Sequence, residues 1–279
     1  MRASLRGGAG HSATEREGSL GYEMPRGWWL CQCLGVVALI ALVAAPAWGQ
    51  DRKEENWRRE AALLVGGALA AGSGLYLRSS IPGVGVNPKD PGELCSLDRF
   101  FVRGYSARWD VASDVGLVVE LAFSLWASIS GTLGRRLPTA LEHAETALWV
   151  TGLAAWSKWA TQRPRPYAYH PRCPARLLGD GDSRASFFSE HAAQAFAAAE
   201  LLRQTSGLPL GAAAQVLAYS LALGVAACRV AAGTHFPTDV AVGAGVGILS
   251  ARTISALHRR TSRFNLFPTD HGLFLRIRI

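Results

Sequence analysis

The feature that most constrains this chain is a set of long stretches with no charged side chain. Ala61–Leu77 is one, and Gln204–Cys228 is the longest. Such segments read as helices that bury themselves in a core or in lipid. Six helical segments are expected, at about Glu60–Leu77, Ala112–Leu133, Pro138–Thr161, Ser189–Gln204, Pro209–Ala232 and Pro237–His258. Pro138 suits the first turn of its helix, and Ser189 suits an N-cap with Glu190 behind it. Strand signals are nearly absent until the tail. There, Arg263–Pro268 and Leu273–Ile279, joined by Thr269-Asp270-His271-Gly272, read as a β-hairpin. The expected class is all-α: an antiparallel six-helix bundle with its site at one end, plus a short C-terminal β-hairpin.

With 49% hydrophobic and 18% charged residues among 279, the chain can build a sizeable core, which excludes disorder for most of it. A net charge of +8 favours anionic partners. The basic residues are scattered, with no Lys/Arg run interleaved with aromatics, so no nucleic-acid groove is expected. The five cysteines form no C-x-x-C pair, which argues against structural zinc.

Residues 1–23 are rich in Gly, Ser, Arg and Glu and are expected to be an unstructured extension. From Met24 the pattern changes. Met24-Pro25-Arg26 is a basic n-region, Trp28–Ala45 an apolar h-region, and Ala45-Pro46-Ala47-Trp48-Gly49 offers small residues for cleavage. Residues 24–49 therefore read as a signal peptide from a start at Met24, with an uncleaved membrane anchor as the alternative. Residues 50–59 read as a charged linker, 60–260 as the helical domain and 261–279 as the tail.

Three clusters carry chemistry: Lys158-x6-Arg165-Pro166, Ser186-Phe187-Phe188-Ser189-Glu190-His191, and Arg229-x5-His235-x3-Asp239. Three fixed cations, a hydroxyl and a helix N-terminus suit a tetrahedral oxyanion. Two histidines can divide the nucleophile and general-acid roles. An Asp four residues after a His can accept its second ring N–H. Sequential antiparallel helices would bring all these residues to one end. By contrast, His143 in Glu142-His143-Ala144-Glu145 reads as an exposed helix face, and Gly179–Ser183 as a turn too short to bind calcium.

In these motifs the sequence resembles the type-2 phosphatidic acid phosphatase superfamily, which includes bacterial acid phosphatases and vanadium-dependent haloperoxidases. Its pattern is K-x6-R-P, P-S-G-H and S-R-x5-H-x3-D. The first and third elements are present, with Cys228 in place of Ser; in the second, Phe188 replaces Pro and Glu190 replaces Gly. The resemblance implies that His235 attacks phosphorus with Asp239 orienting it, and that His191 protonates the leaving oxygen. It implies that Lys158, Arg165, Ser189, Arg229 and the backbone N–H at Glu190 bind phosphate, without metal or other cofactor. The substrate would be a phosphorylated small molecule or a lipid phosphate. The Glu190 carboxylate is expected to point away from the phosphate or to weaken the site. A vanadate-dependent oxidative enzyme and a non-catalytic envelope protein with a degenerate phosphate pocket are the rival readings.

Location has two readings. Glu120, Glu142 and Glu145 suit a soluble or peripheral bundle in the periplasm, while the uncharged first and fifth helices suit a multi-pass membrane protein. Membrane association is expected in either case. Export also favours disulfides. Cys95 and Cys173 fall in loops at the same end of the bundle, and a Cys95–Cys173 bond is expected, with Cys228 packed on its helix.

Overall fold

The computed structural model describes residues 54–130, 136–205, 211–261, 264–269 and 272–277. The expected leader, the extension before it and residues 270–271 of the expected turn lie outside the described residues. The fold is mostly helical. Its long helices are α1 (Glu54–Arg78), α2 (Ala107–Ser130), α3 (Arg136–Thr161), α4 (Glu190–Thr205), α5 (Gly211–Ala231) and α6 (Pro237–Thr261). α1 begins inside the segment read as a linker. α2 begins at Ala107 rather than Ala112, which brings Asp110 into the first turn and leaves Asp114 one turn further on. Strands β1 (Phe264–Thr269) and β2 (Gly272–Ile277) pair antiparallel, with Phe264 opposite Ile277 and Thr269 opposite Gly272.

α4 is the hub, packed against α2, α3, α5 and α6. Its sequence explains this position. Ala192, Ala193, Ala195, Ala197, Ala198 and Ala199 are all buried, so small side chains turn to every neighbour and let helices approach closely. One core joins Val150 and Ala154 of α3, Ala193, Ala197 and Leu201 of α4, and Ala251 of α6, with Phe188 just before α4. A second joins Ala127 of α2, Ala199 and Leu202 of α4, and Ala218 of α5. α1 lies along α3, where Trp149 donates its indole N–H to the Leu63 carbonyl at 3.1 Å.

α4 and α6 approach each other closely. A Cβ on Gly243 would overlap the Ser189 carbonyl, and one on Gly247 would overlap the Ala193 carbonyl. Gly247→Ala is therefore expected to destabilise the protein by about 1–3 kcal/mol through overpacking, read as a lowered midpoint in thermal unfolding. An unchanged midpoint would mean that α6 can retreat from α4 without loss.

Charge pairs join several of the helix ends. Arg78, Lys158 and Arg229, in the last turns of α1, α3 and α5, pair with Asp182, with Glu190 at the start of α4, and with Asp110 at the start of α2. The two long loops pack over this end. Lys89 N donates to Ala168 O (2.8 Å), Val84 N to Ser183 Oγ (3.1 Å) and Tyr167 N to Gly233 O (3.0 Å). Gly233 has φ +71° and lies against the Gly104 carbonyl, a position where a side chain would meet both backbone strain and overlap.

Two expectations are corrected here. The Cys95–Cys173 bond is not formed, and both thiols are free. Cys95 Sγ instead donates to Asp98 Oδ2 at 3.5 Å, while Cys173 packs beside Tyr167, Ala168 and Leu178. Nor is Glu142-His143-Ala144-Glu145 an exposed face: all four residues are buried, because α3 is enclosed by α1, α2, α4 and α6. Glu120 is buried as well, so these charges do not mark a water-facing surface. The outer surface carries Val65, Leu69, Val118, Trp126, Val216, Leu223 and Leu249. Four helical stretches, Arg59–Arg78, Ala107–Ser130, Gly211–Ala231 and Pro237–Arg259, are long and apolar enough to cross a membrane.

Candidate active site

His235 stands in the short connection between α5 and α6 and is 1% exposed. Its Nδ1 lies 2.7 Å from the Ser186 carbonyl oxygen. A carbonyl only accepts, so Nδ1 carries the proton and Nε2 carries the lone pair. Burial, reinforced by Arg165 and Arg229, pushes His235 well below the usual histidine range and keeps it neutral. A neutral imidazole with a fixed tautomer is what a nitrogen nucleophile requires.

Asp239, in the first turn of α6, does not take the ring N–H. Its Oδ2 is 4.0 Å from Nδ1 and accepts instead from Ser186 Oγ (2.6 Å) and Phe236 N (3.0 Å). Its Oδ1 pairs with Arg163. Asp239 therefore positions His235 through Ser186: the carboxylate holds the serine, and the serine carbonyl holds the histidine. The i,i+4 spacing suggested a direct bond, but the helix start turns the carboxylate back onto its own N-terminal amide.

His191, in the first turn of α4, lies 2.7 Å through Nε2 from Asp114 Oδ1 of α2. Burial and Arg229 keep it neutral despite Asp114 and the nearby Glu190 and Asp110. Ser189 is buried as the N-cap of α4, and its backbone N–H donates to Asp239 O at 3.1 Å, tying α4 to α6 beside both histidines.

The cations are each engaged by a carboxylate. Lys158 Nζ donates to Glu190 Oε2 at 2.9 Å. Arg165 reaches Asp182 through Nε to the carbonyl (2.8 Å) and Nη2 to Oδ1 (2.7 Å). Arg229 pairs with Asp110 and donates to Ser113 Oγ at 3.0 Å. Its buried Nε–H has no hydrogen-bond partner among the described residues.

Of the two outcomes expected for Glu190, pointing away from the cations is not the one found. It turns inward to Lys158, with Arg78 Nη1 at 4.0 Å. Burial opposes its ionisation, but Lys158 and Arg78 outweigh it and hold the carboxyl at about 2. Burial in turn lowers Lys158 to about 8, against the pull of Glu190. Glu190→Gln is expected to strengthen binding of inorganic phosphate or vanadate roughly tenfold near pH 6, by removing a like charge and releasing Lys158. The gain should fade above neutral pH, because Lys158 without its carboxylate loses its proton earlier. Isothermal titration at several pH values reads this directly; weaker binding at pH 6 would show that the carboxylate supports the site.

The residues predicted from sequence are therefore brought together: Lys158, Arg165, Ser189, Glu190, His191, Arg229, His235 and Asp239 all lie at one end. Sequence reasoning missed their partners. Asp110 and Asp114 were assigned outside or without role, though an i,i+4 acidic pair opening an apolar helix was a usable signal. Asp182 was read as part of a plain turn, although it holds both Arg78 (2.8 Å) and Arg165. Arg163 was passed over for Arg165 although Arg163-Pro164-Arg165-Pro166 repeats the dipeptide; it joins Asp98 (2.6 Å) to Asp239. Chemically, the ensemble offers a neutral imidazole with a fixed tautomer, a second imidazole on a carboxylate, and cations held close to both.

Comparison with protein-family models matches residues 140–263 to the PAP2 superfamily. That segment spans every predicted site residue from Lys158 to Asp239. No curated protein and no solved structure gives a significant match.

Proposed function

We propose that this chain, whose residues 140–263 match the PAP2 superfamily, is a metal-independent phosphatase of lipid phosphates or pyrophosphates acting through a phosphohistidine. In this reading the six long helices form one antiparallel bundle with the site at one end. The observation that carries the proposal is the Ser186 carbonyl 2.7 Å from His235 Nδ1, which leaves Nε2 unprotonated at the convergence of three cationic side chains.

The Nε2 lone pair attacks phosphorus, the bond from phosphorus to the leaving oxygen breaks, and that oxygen takes a proton from His191. Arrival of the phosphate dianion offsets the repulsion from Arg229 and lets His191 hold that proton against burial. Water then gives a proton to His191 and its oxygen to phosphorus, the P–N bond breaks, and inorganic phosphate leaves. Lys158, Arg165 and Arg229 stabilise the charge on the equatorial oxygens, each exchanging part of its carboxylate partnership for phosphate.

A lipid substrate is favoured over a soluble phosphomonoester by the exposed apolar side chains on α1, α2, α5 and α6 and by the burial of Glu120, Glu142 and Glu145. A bundle embedded in a membrane presents its site end at the headgroup level, where lipid phosphates lie. The test is a panel of phosphatidate, an isoprenyl pyrophosphate and p-nitrophenyl phosphate, assayed on purified protein in detergent with EDTA. Lipid turnover that exceeds turnover of the nitrophenyl ester supports the reading. Phosphate or vanadate binding without turnover of any ester would make the pocket non-catalytic, and vanadate-dependent bromide oxidation would make it a haloperoxidase.

A further inference from the structure

A second polar cluster lies at the opposite end from the phosphate site. Glu60 of α1, Glu142 and Glu145 of α3 and His258 of α6 are all buried there. Glu145 precedes Lys158 by thirteen residues on the same helix, so the two centres are about 20 Å apart. His258 Nε2 is 2.7 Å from Glu145 Oε2 and 3.6 Å from Glu60 Oε2. These separations bracket the edge of about 3.4 Å between ligand atoms bonded at about 2.1 Å to a tetrahedral ion.

Two oxygens of the cluster, Glu60 Oε2 and Glu145 Oε1, are buried with no hydrogen-bond partner among the described residues, and Glu145 is fully buried. Oxygens in that condition call for a ligand. The far side of the imidazole is also prepared. His258 Nδ1 faces Glu142 Oε1 at 3.7 Å, and Glu142 is held by Ser255 Oγ at 2.9 Å. A carboxylate behind a histidine is how proteins orient an imidazole toward a metal.

We propose that Glu60, Glu145 and His258 bind a divalent transition ion, Zn²⁺ being the type case, with Glu142 and Ser255 orienting His258. One imidazole with two carboxylates suits Zn²⁺ or Mn²⁺ and disfavours Mg²⁺, which seeks oxygen and water. Binding displaces the Nε2 proton of His258, and that proton is released to solvent. The ion clips the start of α1, the first half of α3 and the end of α6 together. It is too far from Lys158 to enter the hydrolytic step.

The experiment uses the full chain in detergent, stripped with chelator and titrated with ZnCl₂ by calorimetry and thermal unfolding, with MgCl₂ as control. The expected result is one Zn²⁺ per chain and an unfolding midpoint raised by several degrees. Affinity should fall at least about 100-fold in Glu145→Gln, and about 10- to 100-fold in Glu142→Gln with stoichiometry retained. X-ray absorption on the Zn²⁺-loaded wild type should give one imidazole and oxygen ligands, which tests the assignment without any variant. Absence of stoichiometric uptake, uptake unchanged in Glu145→Gln, or a spectrum with two imidazoles would overturn the proposal. Two imidazoles would point to ion capture by His191 and His235. Chelation should lower the midpoint and leave phosphate hydrolysis by folded protein unchanged, so this proposal and the phosphatase reading fail separately.

Discussion

His235→Ala is expected to remove turnover, with a loss of about 10⁴-fold or more, as for the nucleophile of any covalent mechanism. Nothing beside it can substitute. His191 is tied to Asp114 at 2.7 Å, and Ser189 is engaged as the helix cap. The substitution also strands the Ser186 carbonyl, so the control is phosphate binding: Arg165 and Arg229 remain, and a folded variant should bind phosphate within a few-fold of wild type. Acid quenching during turnover should trap label on His235 in the wild type and none in the variant. Label on Ser189 would replace His235 as the nucleophile. Ser186→Ala should be milder, because it leaves the carbonyl that fixes the tautomer and removes only the hydroxyl bond to Asp239 (2.6 Å).

His191→Ala is expected to slow hydrolysis of alkyl and lipid phosphates by about 10²- to 10⁴-fold, the usual share of general acid–base catalysis. The effect should depend on the leaving group. With a leaving group that needs no proton, phosphoryl transfer to His235 proceeds, and the slow step becomes attack by unassisted water. Phosphohistidine should then accumulate, detectable as a burst of released phenolate followed by slow turnover. Absence of the burst, with the phosphoryl-transfer step slowed equally for both substrate types, would show that His191 binds phosphate and transfers no proton. Asp114→Asn tests the support behind it: the expected signature is a change in the pH profile of kcat with KM little altered, since Asp114 acts through His191.

Much of this was legible in the chain. The uncharged stretches Ala61–Leu77 and Gln204–Cys228 signal helices because nothing in them asks for water; the first lies within α1, and the described part of the second is divided between the end of α4 and α5. The motif residues were legible because phosphate chemistry needs cations and imidazoles at fixed offsets from helix ends, and such offsets survive in one dimension. Helix rotation was not legible. Glu142, His143 and Glu145 looked like a polar face, yet this half of α3 is covered by neighbouring helices, and these side chains bond to Ser255, Thr139 and His258 instead.

The sequence by itself determined the helical class, the order of the six segments and which residues gather at the candidate site, because these follow from local periodicity and residue chemistry. Only the tertiary structure decided which carboxylate meets which cation. Asp110 and Arg229 are 119 residues apart, and Arg163 and Asp98 are 65 apart. It also decided that Asp239 serves His235 through Ser186, and that two cysteines in neighbouring loops stay free. These pairings depend on how α2, α4 and α6 are rotated and how closely they approach. That is set by packing of small residues such as Ala193 and Gly247 in three dimensions, for which a linear spacing carries no signal.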